Sequence, residues 1–241
     1  MNRPRFANHR PLLVFCLLAA YACEVQAGPP TAEKKPANQT LDLFAEHKDE
    51  YVTPASPTLV NVGPAKYLAI AGRGAPGGET FVAKIRALYT VAFTLKMQSQ
   101  AAGRDFNVGI SEGLWWGNGN EHDFTNQPRD TWNWKLLMRV PDFVTDKELA
   151  KTTGMLGGGD KTAVVNEVKI ETLTEGQCVQ VLHVGPYANE PTTIAAMRDF
   201  ATKRGLVLNG RHHEIYLDNP NRTDPATLRT ILRQPVGKSP K

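Results

Sequence analysis

Apolar residues along this chain keep two rhythms, a strand-like alternation and a helix-like spacing of three and four, and the order of the two repeats once. After a short helix carrying Leu41, Phe44 and His47, ended by Pro54 and Pro57, residues 58–62 and 66–71 read as strands. From about 80 to 100, Phe81, Ile85, Leu88, Ala92 and Leu95 recur at helical spacing, with Tyr89 and Phe93 widening the stripe. Strands follow over about 105–116 and 131–140, the second placing Trp132, Trp134, Leu136 and Met138 on one face, with a polar loop between them. Residues 145–161 begin as a helix and dissolve into the glycine-rich stretch 152–159, read as a mobile connector.

The order then recurs. Strands over 168–174 and 178–184 lead through the turn 185–189 into a helix with Pro191 in its first turn and Ile194, Met197 and Ala201 facing inward. Strands over 206–217, irregular near Asn209-Gly210, and over 228–235 complete the set. Two halves, 58–140 and 168–236, thus share a strand-helix-strand-strand plan. The predicted fold is α+β: a duplicated unit forming one antiparallel layer, helices on one side, and a ligand groove between the halves.

The 241 residues, 41% hydrophobic, are enough for a packed core. A basic start at Arg3, Arg5 and Arg10, an apolar run over 12–20 and Val25-Gln-Ala27 read as a signal peptide over 1–27. Residues 28–40 read as a flexible tether, 41–236 as the domain and 237–241 as a tail. Export to the periplasm or medium follows. The competing cleavage would leave Cys23 as a lipid-bearing N-terminus, but Ala20-Tyr-Ala22 matches that signal poorly. The apolar run is short for a membrane span, which needs about 20 residues, and no later segment is longer. The formal charge of +4 falls to +2 once the leader's three arginines and Glu24 are set aside, which demands no nucleic-acid partner. Cys178, the one cysteine after the leader, reads as a buried thiol among Val179, Val181 and Leu182.

Chemistry is concentrated in two strands. Glu214 and Glu112 each sit in a run otherwise built largely of aliphatic and aromatic residues, where an ionised carboxylate is costly to desolvate. Alternation puts Glu112 on the apolar face of its strand with Leu114 and Trp116, and puts His212, Glu214 and Tyr216 on one face of theirs. Trp115, of opposite parity to Trp116, is the better placed of the two for a ligand, and Tyr187 is a second wall residue. Glu214 is the candidate catalytic base or cation anchor, Glu112 its assistant; Glu112 reads equally well as a structural acid bonded to backbone or arginine. His212-His213 with Glu214 lacks the spacing of a zinc motif, and no metal or cofactor is expected. Gly109-Ile-Ser-Glu-Gly113 fits a nucleophile-elbow pattern around Ser111, but the strand-to-helix turn that such a serine needs is absent from the sequence.

The segments Tyr89-Thr-Val-Ala-Phe-Thr-Leu-Lys96, Glu112-Gly-Leu-Trp-Trp116, Trp132-Asn-Trp134, Pro141-Asp-Phe143, His183-Val-Gly-Pro-Tyr187, Gly210-Arg-His-His-Glu-Ile-Tyr-Leu217 and Thr230-Ile-Leu-Arg-Gln-Pro-Val236 resemble the GyrI-like small-molecule-binding family, in register over about 41–236. The resemblance implies a duplicated fold with a groove for hydrophobic, often cationic, small molecules. Some free-standing members hydrolyse cyclopropanoid DNA-alkylating toxins, while other members are effector domains of regulators. It further implies Glu214 as the groove acid, Glu112 as its counterpart in the first half, and aromatic walls at Trp115, Trp116, Tyr187 and Tyr216. Turnover is left open; a non-enzymatic effector-binding or drug-sequestering module is the alternative, and the oligomeric state is unassigned.

Overall fold

The computed structural model describes residues 40–119, 121–157 and 162–238. The leader, nearly all of the tether, the tail beyond Lys238 and most of the glycine run lie outside them. The elements in order are α1 (Leu43–Glu46), β1 (Thr58–Arg73), α2 (Glu79–Ala101), β2 (Ser111–Trp116), β3 (Asn133–Arg139), α3 (Asp146–Leu156), α4 (Thr162–Val165), β4 (Lys169–Val184), α5 (Glu190–Lys203), β5 (Leu206–Leu208), β6 (His212–Tyr216) and β7 (Arg229–Lys238). The plan of two similar halves holds.

The antiparallel layer curves until it closes on itself. Neighbouring strands run β4-β1-β3-β2-β6-β7, all antiparallel, and β7 pairs back onto β4, so six strands form a barrel with β5 added to β7. Closure removes the exposed edges that an open sheet leaves. The halves join at two seams, β1 with β4 and β2 with β6.

Each half opens on one 16-residue strand where two short strands are predicted. Pro64 fails to break β1 because β3 joins only from Tyr67 onward, which leaves the proline's second edge without a ladder to interrupt. In β4, Gly176 takes φ +68°, a left-handed value that breaks the alternation, and side chains on both sides of it, Glu175 and Gln180, turn to the barrel interior. The strand predicted over 105–116 is regular only from Ser111; Phe106 makes a single parallel bridge to Leu41. The irregularity at Asn209-Gly210 separates β5 from β6. The glycine run is shorter than expected, since α3 continues through Thr152 to Leu156, started by a capping box between Thr145 and Glu148.

Alternation gives the barrel two faces with different contents. The outer face carries Leu68, Ile70, Trp134, Leu136, Met138, Val179, Val181 and Leu232, packed against Leu88, Val91, Ala92 and Leu95 of α2 and Ile194, Met197 and Ala201 of α5. Burying each of the leucine, isoleucine, valine and methionine side chains contributes roughly 1.5–3 kcal/mol. Phe93 departs from the predicted stripe and is half exposed. The inner face is mixed, with an apolar group of Ala65, Tyr67, Ala69, Leu114 and Leu137 beside a group of buried charges. Among the described residues no helix is long and apolar enough to cross a membrane.

Candidate functional site

Between α2 and α5, over the β2–β6 seam, the outer face opens into a cavity of about 1160 Å³. Its apolar wall comes from the first turns of α2, where Phe81, Ile85 and Tyr89 continue the helix stripe past the end of the close-packed core. Trp115 projects from β2 and stacks on Phe81, ring centroids 6.0 Å apart and 19° from parallel. Trp132 meets Trp115 edge-on at 5.9 Å, and Phe124 meets Trp132 edge-on at 4.9 Å. Tyr187, in the turn before α5, stands edge-on to Tyr216 at 5.8 Å. Such rings offer flat apolar contact with few rotamers to lose.

Glu214 lies at the floor. Tyr216 donates its hydroxyl to Glu214 Oε2 at 2.7 Å, and Trp115 Nε1 donates to the Tyr216 oxygen at 3.0 Å. A side chain on Gly113, the residue facing Glu214 across the seam, would come within 2.9 Å of the Trp115 indole nitrogen and 3.0 Å of the Tyr216 hydroxyl. The absent Cβ is what lets that chain of hydrogen bonds form. Burial pushes Glu214 up to about 7, against the stabilising bond from Tyr216. Burial also raises Tyr187 to about 12, and drives Tyr216 well above its ordinary value, so both phenols are neutral donors near neutrality.

The sequence-predicted residues therefore divide. Glu214, Trp115, Tyr187 and Tyr216 meet in the cavity. His212 shares the face of Glu214 as alternation requires, but it is wedged behind the wall, buried against Phe124 at 5.4 Å with its Nε2 3.7 Å from Glu214 Oε1. Burial lowers it to about 3, so it is a neutral imidazole.

Glu112 and Trp116 lie elsewhere. Both point to the other side of the sheet, one residue out of phase with Trp115, so neither can reach the groove. Trp116 sits at the barrel end with the Arg211 guanidinium 3.6 Å over its ring. Glu112 is inside the barrel, where it accepts from Tyr51 at 3.2 Å and lies 2.9 Å from His213 Nε2. His213 also touches Glu175 at 3.0 Å, and Arg233 bonds Glu175 at 2.8 Å and Gln180 at 2.7 Å. Burial opposes the charge on His213, but Glu175 and Glu112 outweigh it and hold the imidazolium to about 9. Glu175, buried yet flanked by His213 and Arg233, is held down at about 2. This is a neutralised structural network, the reading weighed for Glu112 as a structural acid.

Sequence reasoning missed Glu190, Phe124, Phe81 and Tyr89 as cavity residues. Glu190 is the first residue of α5, where an acid ordinarily complements the helix dipole and attracts no notice. Phe124 lies in the loop read as polar, in a 3₁₀ segment, Glu121–Asn126, that is kinked at Asp123. Ser111 opens β2, and the chain runs on as strand to Trp116 without the turn into a helix that a nucleophile elbow needs; among the described residues no group of three or more His, Cys, Asp or Glu is placed to hold a metal ion.

A duplicated barrel whose two helices frame an aromatic cavity over a buried acid defines a small-molecule-binding protein. Residues 55–236 match the GyrI-like small molecule binding domain, and the chain belongs to that family. It is similar to an uncharacterized conserved protein from Listeria innocua, 34% identical with a TM-score of 0.76, covering 82% of this chain and 100% of that one. A second solved structure, described as a hydrolase from Listeria innocua, is 33% identical with a TM-score of 0.71 and the same coverage. The EcmrR C-terminal domain, at 13% identity and a TM-score of 0.51 over 76% of this chain and 98% of that one, shares the fold alone. No curated protein matches the chain.

Proposed function

We propose that this is an exported protein that takes flat hydrophobic or cationic small molecules into the aromatic cavity and hydrolyses strained cyclopropanoid electrophiles there, with Glu214 as the base. The observation that carries the reading is Glu214 itself: a buried carboxyl in an aromatic cavity, poised near neutrality, with Tyr216 and Trp115 holding it in place. In the reaction, water forms a bond to the ring methylene as the cyclopropane carbon–carbon bond breaks. The bonding pair passes into the conjugated carbonyl, whose oxygen takes a proton from solvent, while the proton lost by water goes to Glu214 and from there to solvent, so that one water is added overall. The aromatic walls hold the planar body in line for attack. Relatives described as hydrolases, one-third identical over most of this chain, support turnover.

A second reading rests on the same acid. An anionic floor beneath aromatic walls also complements a ligand cation without changing it, as a sequestering module would. Incubating purified protein with an excess of a cyclopropanoid compound separates the two. Product beyond one equivalent establishes turnover, and compound that is bound but recovered unchanged leaves the sequestering role. Export rests on the leader, and the N-terminal mass of protein recovered from the periplasm or medium tests it; a full-length N-terminus in the cytoplasm would overturn it.

A further inference from the structure

The cavity holds a second acid. Glu190 opens α5 with its side chain buried, and its Oε1 accepts from no N–H or O–H among the described residues. What the side chain meets is the Thr230 hydroxyl and, in the same cavity, the carboxyl of Glu214. The other groups facing the pair leave it without a full cationic partner. Tyr187 and Tyr216 are neutral phenols, and His212 is a neutral imidazole. His213 lies on the far face of the sheet between its own two carboxylates. Asp218, at the rim, is bonded to Arg229 at 2.8 Å. Arg129 reaches Glu190 by field alone, its guanidinium lying 5.7 Å over Trp132, and Arg86 of α2, exposed where it lines the cavity, makes no ion pair with either acid.

Two ionised carboxylates side by side in a buried site repel strongly, because little solvent screens them. One proton between them turns that repulsion into a hydrogen bond.

We propose that Glu190 and Glu214 share a single proton above neutral pH, so that the pair at the cavity floor presents one negative charge and favours ligands that bring one cationic group to it. This deepens the binding role proposed above and rests on it for the ligand class alone. Burial and the Glu214 charge both raise Glu190 well above an ordinary carboxyl, which makes it the donor and Glu214 the acceptor. Glu214 then faces the ligand as the anion, steadied by Glu190 and Tyr216 together.

Difference infrared spectroscopy on the full chain at about pH 8, with and without carboxyl-labelled glutamate, tests the shared proton without any ligand. A protonated glutamic-acid carbonyl band, moved by the label and missing from Glu190→Gln, is expected. Its absence from the wild-type protein overturns the proposal, and that measurement stands even if the variant fails to fold. Calorimetry with N-methylacridinium then tests the charge. Glu190→Gln exchanges one neutral group for another and should bind within about threefold of wild type. A loss of about tenfold or more would show Glu190 ionised and would also overturn it. If N-methylacridinium does not bind the wild-type protein, the cation-binding reading falls while the infrared band still decides the proton.

Discussion

His213 and Glu214 are neighbours in one strand, yet they head two buried clusters that treat acidic charge in opposite ways. Inside the barrel, Glu112 and Glu175 meet His213 and Arg233, and the cluster links β2, β4, β6 and β7. On the outer face, Glu190 and Glu214 meet each other, two phenols and an indole, with no lysine or arginine in ion-pair contact among the described residues. A buried acid supplied with its cation is part of the scaffold. One left without it must hold a proton or wait for a positive charge, and that requirement is what a ligand can meet.

The sharpest way to break this contrast is Glu214→Gln. Turnover of a cyclopropanoid compound should fall by about 10²–10⁴-fold, and the wild-type rate should rise with pH through about 7 as Glu214 ionises. An unchanged rate would make the outer cluster as inert as the inner one.

Arg233→Met probes the scaffold side, since it strips Glu175 of one cation in a closed interior. A loss of about 3–5 kcal/mol in urea unfolding is expected, and a loss under about 1 kcal/mol would show that the inner cluster does not hold the barrel.

Stability against pH separates the clusters again. His213 has its folded value raised to about 9, so its contribution is full below about 6.5 and is lost as pH rises through 9. Glu175 is depressed to about 2; its contribution is full above about 4.5 and is lost as pH falls through 2. Glu214 runs the other way. Its value is raised, so wild type gives up stability between about 4.5 and 7, and Glu214→Gln should be the more stable protein at about pH 8 by roughly 1–3 kcal/mol while matching wild type in acid. Equal stability at both pH values would mean that burial costs this acid nothing.

The smallest effect sharpens the face assignment. Trp115→Phe removes the donor to Tyr216 and should weaken binding of N-methylacridinium by about 0.5–1.5 kcal/mol. Trp116→Phe, on the other face, should leave it unchanged. A larger effect from Trp116 would reverse the assignment.

Much of this was legible in the chain. The spacing of Leu88, Ala92 and Leu95 and of Ile194, Met197 and Ala201 marked two core-facing helices, and the repeated strand order marked two halves, because burial periodicity is a local property. The alternation of His212, Glu214 and Tyr216, and of Trp115 against Trp116, likewise sorted side chains onto faces. Which face becomes a cavity and which a barrel interior is not local. Pairing of β7 with β4 decides it, through hydrogen bonds between residues some fifty positions apart, such as Gln180 and Arg233. That closure carries Glu112 into the neutralised interior and leaves Glu214 outside. The docking of α5 then brings Glu190 to Glu214, a meeting of two acids 24 positions apart that no periodicity along the chain encodes.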